Sequence, residues 1–349
     1  MENGKGVRRG LGSFPKMLVR TRVKSDSMSM TTVEVPDRDE WFIDGDGMPR
    51  PDWRALRGWM RANAGGYENG EAWRQFVYHW LGRLRASLGG GYAIAESANF
   101  HMLSEFDERT RSRLLDWLEA ARARVVRTLG EVAWTKTHGK HVILRFGTQE
   151  DYYRYVWHGY PDGEHASSSG MFLRGYYSHI ALQVSYNLDS ERQTLAHELA
   201  HNLLSHLPLP SWLNEALAMA FEGDLAGHGH ERLNRDLHEK HCAFWDGDTI
   251  QEFWAGRSFR NVEGQEVSYS LASILLDNLH KGLRPDAMAF RRFVQQSDAQ
   301  DAGAAAAREQ LDLELGDLAA SYLGPGDWQP APSRWKELAE KSSPKKEEA

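Results

Sequence analysis

The stretch Thr194–Leu204 reads T-L-A-H-E-L-A-H-N-L-L, and it carries the pattern H-E-x-x-H at His197, Glu198 and His201. On an α-helix, residues four apart are separated by about 40° around the axis and by about 6 Å along it. Two imidazoles at this spacing can bind the same metal ion, while Glu198 can reach a water molecule on that ion. The pattern therefore predicts a helical metal site in which Glu198 is a base rather than a ligand.

The residues on either side predict where this helix begins and ends. Ser190 is a suitable N-cap, and Gln193 completes a capping box with it. Pro208 and Pro210 end the helix, because proline lacks an amide donor and its ring clashes with the preceding turn. Three leucines at helical spacing form an apolar stripe that can pack on the core while the histidines face a cleft. These leucines are Leu195, Leu199 and Leu203.

A third ligand is required, because zinc in a hydrolytic site takes three protein ligands and keeps one position for water. The segment Pro210–Glu215 reads P-S-W-L-N-E, and Ser211 can cap a second, apolar helix. The short turn between the helices would fold Glu215 back towards the histidines. We therefore expect one Zn²⁺ ion bound by His197, His201 and Glu215. The alternative is a buried helix whose histidines only satisfy hydrogen bonds of the core.

The segments H-E-L-A-H at 197–201 and P-S-W-L-N-E-A-L-A at 210–218 together resemble the gluzincin metallopeptidases. They are most similar to the peptidase MA-like group, in which the second segment reads W-L-N-E-G-L-A; here Ala216 replaces the glycine. The resemblance covers about residues 93–325 and is sharp at the two zinc segments. It implies an α+β fold with a thermolysin-like catalytic unit, in which a small sheet precedes a helical half. It also implies Glu198 as the general base.

Two further expectations come from this resemblance. The family has an apolar helix led by a tyrosine after the zinc site, and Val267–Leu276 resembles it. Tyr269 is therefore our catalytic candidate, as the hydrogen-bond donor to the tetrahedral oxyanion; the alternative is a core tyrosine at a helix start. In the family, an edge strand beside the zinc helix pairs with an extended substrate. Residues 178–184 and the loop at Gly170 are thus expected to form the cleft wall.

These features predict a zinc metallopeptidase that hydrolyses peptide bonds in a peptide or protein held in an extended conformation. Retention of Glu198, which metal binding does not require, favours an enzyme. Two alternatives stay open: a zinc-containing peptide-binding module with little or no turnover, and a hydrolase of non-peptide amides. An aminopeptidase would need a G-x-M-E-N-like segment upstream of His197, but Gly170–Leu173 lacks the glutamate. An endopeptidase is therefore favoured over an aminopeptidase.

Composition narrows the range of partners. The 349 residues carry a net charge of −7 and a pI near 6.1, which argues against nucleic acid as a partner. Cys242 is the single cysteine, so an internal disulfide framework is excluded. The sequence shows neither a signal-peptide core nor an apolar run long enough for a bilayer, so we expect a cytoplasmic protein without a membrane partner. No feature of the sequence indicates an oligomeric state.

The chain divides into four predicted parts. Residues 1–30 are expected to be a disordered arm, and residues 31–90 a helical N-terminal region that ends at Gly89-Gly90-Gly91. Residues 91–330 are the expected zinc metallopeptidase-like domain, with its sheet-containing half to about residue 206 and its helical half after that. Residues 331–349 are a charged tail that is expected to fray.

Smaller segments also have testable interpretations. Asp44-Gly45-Asp46-Gly47 predicts a turn rather than a calcium loop, because Met48 and Pro49 follow where oxygen ligands are needed. Apolar spacing predicts a helix over 107–129, a strand over 141–146 and a helix over 149–157. Several potential ligands between 228 and 242 are interpreted as part of a solvated helix, with a second metal site as the alternative. They are His228, His230, His238, His241 and Cys242.

Overall fold

A computed structural model describes residues 33–65, 69–133, 139–157, 169–173, 177–185, 187–226, 234–283 and 286–342. The predicted arm at 1–30, the loop residues Ser167 and Ser168, the histidines His228 and His230, and residues 343–349 lie outside these ranges. Within them, no helix combines the length and the apolar content that crossing a bilayer requires.

The described chain is an α+β fold in which a small sheet is followed by a helical half. The strands are β1 (Phe42–Gly45), β2 (Met48–Pro51), β3 (Ala93–Glu96), β4 (Phe100–Ser104), β5 (His141–Arg145), β6 (Gly170–Leu173) and β7 (His179–Leu182). The helices up to and including the segments 194–204 and 210–215 are α1 (Trp53–Asn63), α2 (Gly70–Leu88), α3 (Glu108–Leu129), α4 (Gln149–Trp157), α5 (Leu188–Leu204) and α6 (Ser211–Ala226). The later helices are α7 (Arg235–Phe244), α8 (Thr249–Trp254), α9 (Gln265–Asn278), α10 (Ala287–Gln296), α11 (Ala304–Leu311), α12 (Leu315–Leu323) and α13 (Pro332–Ser342).

Five strands form one mixed sheet in the order β3-β4-β5-β7-β6. The three inner strands β4, β5 and β7 are parallel, while β3 and β6 run antiparallel at the two edges. Strand β7 therefore lies inside the sheet. The expected cleft wall, residues 178–184 and the loop at Gly170, required 178–184 to be the edge strand. That part is wrong, because Gly170 begins β6, which pairs with β7 and occupies the edge itself.

Side chains of the sheet alternate between two hydrophobic clusters, as the period of two residues in a strand requires. Ile143, Ile180 and Leu182 face a cluster that contains the apolar stripe of α5 and most of the later helices. Leu144 and Ala181 face the other cluster, which contains α1, α2 and α4. The sheet is thus covered by helices on both faces, and α5 lies against one of them.

The N-terminal region holds a hairpin as well as its two helices. Strands β1 and β2 pair antiparallel around the turn at Asp44–Gly47, where the Gly47 amide donates to Asp44 Oδ1 at 2.8 Å. The predicted turn is confirmed. Buried tryptophans of α2, Trp73 and Trp80, belong to the same cluster as the sheet residues Leu144 and Ala181. These helices therefore share a core with the sheet.

The helices predicted over 107–129 and 149–157 and the strand over 141–146 are confirmed as α3, α4 and β5. Helix α13 occupies Pro332–Ser342, within the segment for which a charged and frayed tail was expected. Helix α7 exposes His238 and Cys242, as expected for a solvated helix, whereas His241 is buried.

Candidate metal centre

Helix α5 carries the H-E-x-x-H residues and begins earlier than predicted. It starts at Leu188, and Asn187 is its N-cap, with Oδ1 accepting from the Ser190 amide at 2.8 Å. The expected capping by Ser190 is therefore wrong. An ion pair fixes the start of this helix on the sheet, because buried Arg145 of β5 contacts Glu191 of α5 at 2.7 Å. The helix thus has a defined position relative to the sheet.

The turn between α5 and α6 returns the chain towards the histidines. The amides of Leu213 and Asn214 donate to the Pro210 carbonyl at 3.1 and 3.0 Å, which starts α6. Trp212 is buried and donates from its indole nitrogen to the Ala302 carbonyl at 2.9 Å, so α6 is anchored to the helical half. With α6 held in this way, Glu215 faces α5.

Three side-chain atoms converge between α5 and α6, and we call them the ligand triad: His197 Nε2, His201 Nε2 and Glu215 Oε2. The two nitrogens lie 3.1 Å apart, and Glu215 Oε2 lies 3.3 Å from each of them. Within the described residues, this is the one group of three or more potential metal-binding side chains close enough to share an ion.

The triad has the shape of one face of a zinc tetrahedron. Ligands at about 2.0–2.1 Å from a tetrahedral ion lie about 3.3 Å from one another, which matches the three distances of the triad. Glu215 Oε2 is buried, and its polar neighbours are the two imidazole nitrogens at 3.3 Å. A buried carboxylate oxygen is costly without a partner. The residues therefore fit a metal ion with two nitrogen ligands and one oxygen ligand.

Glu222 is a functional candidate that the sequence-based reasoning missed. Its Oε2 lies 3.3 Å from Nδ1 of His197, the ring nitrogen that does not belong to the triad. A metal-binding histidine commonly donates its other N–H to a carboxylate, which fixes the tautomer and the orientation of the ring. Glu222 follows Glu215 by seven residues, so two turns of α6 place both carboxylates on the same face.

The carboxylates around the triad hold protons on the imidazoles. Burial lowers the pKa of His197, but hydrogen bonds with Glu215 and Glu222 and the charge of Glu198 outweigh it and raise the pKa to about 10. For Glu215, burial raises the pKa, but the charges and hydrogen bonds of His201 and His197 reverse the effect and hold it well below its usual range. A metal ion would have to displace these protons, so binding is coupled to proton release.

Glu198 is buried next to the triad and is held by the edge strand. Its Oε2 accepts a hydrogen bond from the backbone amide of Phe172 in β6 at 2.6 Å. Glu198, the predicted base, thus lies beside the triad and is not part of it.

Tyr269 lies in α9, which packs on α6, and the structure brings its hydroxyl to the site. Burial raises the pKa of the Tyr269 hydroxyl, and the nearby charges of Glu215 and Glu198, with a hydrogen bond to Glu215, raise it further. The phenol is therefore neutral and remains a donor at physiological pH. Its ring also packs edge-on against Phe259 at 5.4 Å, so both predicted roles, donor and core residue, stay open.

The segment near residue 241 does not assemble a second site among the described residues. The indole N–H of Trp245 donates to His241 Nδ1 at 3.0 Å, and Ser270 Oγ lies 3.1 Å from Nε2. Because an indole can only donate, Nδ1 is an acceptor and Nε2 carries the hydrogen. His241 thus has both nitrogens engaged within the core. Cys242 approaches His238 instead, with 3.6 Å between Sγ and Nε2.

In comparisons with known proteins, neither a family model nor a curated protein matches this chain. The geometry of the site therefore carries the functional interpretation.

Proposed function

We propose that this protein is a zinc-dependent metallopeptidase, with His197, His201 and Glu215 as the ligands of one Zn²⁺ ion. The observation that supports this most is the triad itself, whose three atoms lie 3.1 and 3.3 Å apart on two consecutive helices. Hydrolysis requires a base as well as a metal ion, because the attacking water must lose a proton. Glu198, a buried glutamate beside the triad, is suited to this role.

Zinc in such a site supplies a polarised carbonyl and an acidified water. The side chains do the rest of the chemistry. Glu198 accepts the proton of the attacking water and passes it to the nitrogen of the leaving amine. Tyr269, a neutral donor, is our candidate for the hydrogen bond to the developing oxyanion. Glu222 holds the ring of His197 in the orientation that presents Nε2 to the ion.

The proposed substrate is a peptide segment in an extended conformation, aligned near β6. Besides Glu215, two carboxylates raise the pKa of His197, namely those of Glu198 and Glu222. Both are engaged within the protein, with the Phe172 amide and with His197 Nδ1 respectively. Neither is a free anchor for the amino group of a substrate, which favours an endopeptidase over an aminopeptidase.

The decisive experiment compares the wild type with Glu198→Gln in metal analysis and on a diverse peptide library. The wild type should cleave peptides, and the variant should keep one zinc ion per chain while its turnover falls by about 10²–10⁴-fold, the usual contribution of a general base. Asp189→Asn is the matched control, because Asp189 is an exposed acid in the first turn of the same helix. Zinc binding without any cleavage by the wild type would contradict the peptidase proposal and identify a binding module.

A further inference from the structure

The hydrogen bond between the Phe172 amide and Glu198 connects the edge of the sheet to the proposed base. The nitrogen lies 2.6 Å from Oε2, a short bond of the kind that an ionised carboxylate forms with a backbone amide. Glu198 is buried, and a buried carboxylate needs such a donor. The edge strand therefore determines where one oxygen of this carboxylate lies.

The register of the sheet explains why this amide is directed away from the neighbouring strand. The Ser169 carbonyl accepts from the Gln183 amide of the adjoining strand at 3.0 Å. In an antiparallel pair, every second residue turns its peptide groups to the partner. Met171 therefore bonds towards β7, while Phe172, opposite Ile180, turns its amide outward. The outward-facing amide of Phe172 is the one that donates to Glu198 of α5.

Strand β6 and helix α5 also match in spacing. A Cβ at Gly170 would collide with the side chain of Thr194, so glycine permits the close approach of strand and helix. Two residues further along the strand, Phe172 meets Glu198, which lies four residues after Thr194 on the helix. Two strand residues span about 6.6 Å and four helical residues about 6 Å. Both contacts can therefore form together, and they align strand and helix along their length.

We propose that the backbone amide of Phe172 is the positioning group of the general base. It holds Glu198 Oε2 on the edge strand and leaves Oε1 for the attacking water. Because one N–H serves one acceptor, an extended substrate must align on β6 through groups other than this amide. This role rests on the proposed peptidase function, whereas the contact itself does not.

The contact can be tested by NMR in the full-length zinc-free protein, independently of activity. Labelling with ¹⁵N-phenylalanine leaves 13 phenylalanine amides, and loss of one signal in Phe172→Leu identifies the Phe172 amide. We expect its proton resonance to move upfield in Glu198→Gln, which removes the charged acceptor, and to stay in place in Asp189→Asn. A Phe172 resonance that Glu198→Gln leaves unchanged would overturn the contact.

The positioning role is tested with Phe172→Pro, which removes the N–H without breaking the ladder to β7, because this amide faces away from that strand. We expect full zinc content, KM within about twofold and kcat lower by about tenfold or more, since the effect of a base depends on its placement. Phe172→Leu, which keeps the N–H, should retain kcat. A folded, zinc-containing Phe172→Pro with the kcat of Phe172→Leu overturns the role.

The two measurements separate the two proposals. An amide that responds to Glu198→Gln in a protein that cleaves no peptide supports the contact and contradicts the peptidase function. If Phe172→Pro does not fold, the response of the Phe172 amide still decides whether the contact exists.

Discussion

Replacing Glu222 by glutamine tests the geometry of the metal centre at a residue that does not touch the metal position. In the structure, Glu222 Oε2 lies 3.3 Å from His197 Nδ1, and its side chain is 34% exposed. Glutamine keeps the shape and an oxygen acceptor for the imidazole N–H, but it removes the negative charge. The variant therefore isolates the electrostatic part of the support that Glu222 provides to His197.

The expected loss of zinc affinity follows from the distance between the Glu222 carboxylate and the ion. An imidazole places a metal on Nε2 about 4 Å from Nδ1, so the Glu222 carboxylate would lie roughly 7 Å from the ion. One negative charge at that distance from Zn²⁺ is worth about 1 kcal/mol at the permittivity of water and about 5 kcal/mol at an effective value near 20. Because Glu222 is one-third exposed, the lower figure applies more closely. A loss of about tenfold in zinc affinity is expected, the lower end of the range for such outer carboxylates.

Zinc affinity would be measured by competition with a chelator of known affinity at fixed pH and ionic strength. Asp224→Asn is the matched control, since Asp224 lies two residues further along α6 and pairs with Arg124 at the surface at 2.8 Å. Asp224→Asn changes the net charge of the protein by the same amount as Glu222→Gln. Equal zinc affinity in Glu222→Gln, Asp224→Asn and the wild type would refute the assigned role of Glu222 and weaken the orientation of His197 proposed above.

Three other predictions follow from the same site. Glu215→Ala should lose zinc on dialysis, because it removes one of three ligands; retention of one ion per chain would exclude Glu215 as a ligand. Tyr269→Phe should lower turnover by about 10²–10³-fold with little loss of zinc, whereas a change within about twofold would favour the core role. The pKa of His197 rises from 6.5 to about 10 in the metal-free site, so its stabilising contribution is complete below pH 6.5 and is lost as the pH rises towards 10. Denaturation midpoints of the zinc-free protein should fall over that window, and a flat profile would contradict the carboxylate-rich environment of His197.

The elements of the fold that depend on local patterns are the ones the sequence predicts well. The helix over 107–129 and the strand over 141–146 are present as Glu108–Leu129 and His141–Arg145, because their apolar periods are long and regular. The start of α5 was placed at the wrong residue. Asn187 and Ser190 are both good capping residues three positions apart, and local preference cannot choose between them.

Strand order is the feature that local patterns do not contain. The alternation in residues 178–184 predicts a strand, and β7 is there. Whether that strand lies at an edge depends on pairing with residues 170–173, and nothing in the spacing of either segment specifies this pairing. The Phe172–Glu198 contact is not predictable for the same reason, since it joins two residues that are 26 positions apart and lie in different elements. Glu222, in contrast, was within reach of sequence reasoning, because a spacing of seven residues returns to the same helical face.

The N-terminal helices are connected to the site through β6, whose successive side chains face opposite sides of the sheet. Met171 of β6 belongs to the cluster that contains Trp73 and Trp80 of α2. Phe172, the next residue, packs on the opposite cluster and bonds to Glu198. A strand whose successive residues are held on opposite faces cannot slide by one position without exposing both sets of side chains. Burial of Met171 in the cluster it shares with α2 therefore supports the register that β6 has with β7, and this register places the Phe172 amide beside the proposed base.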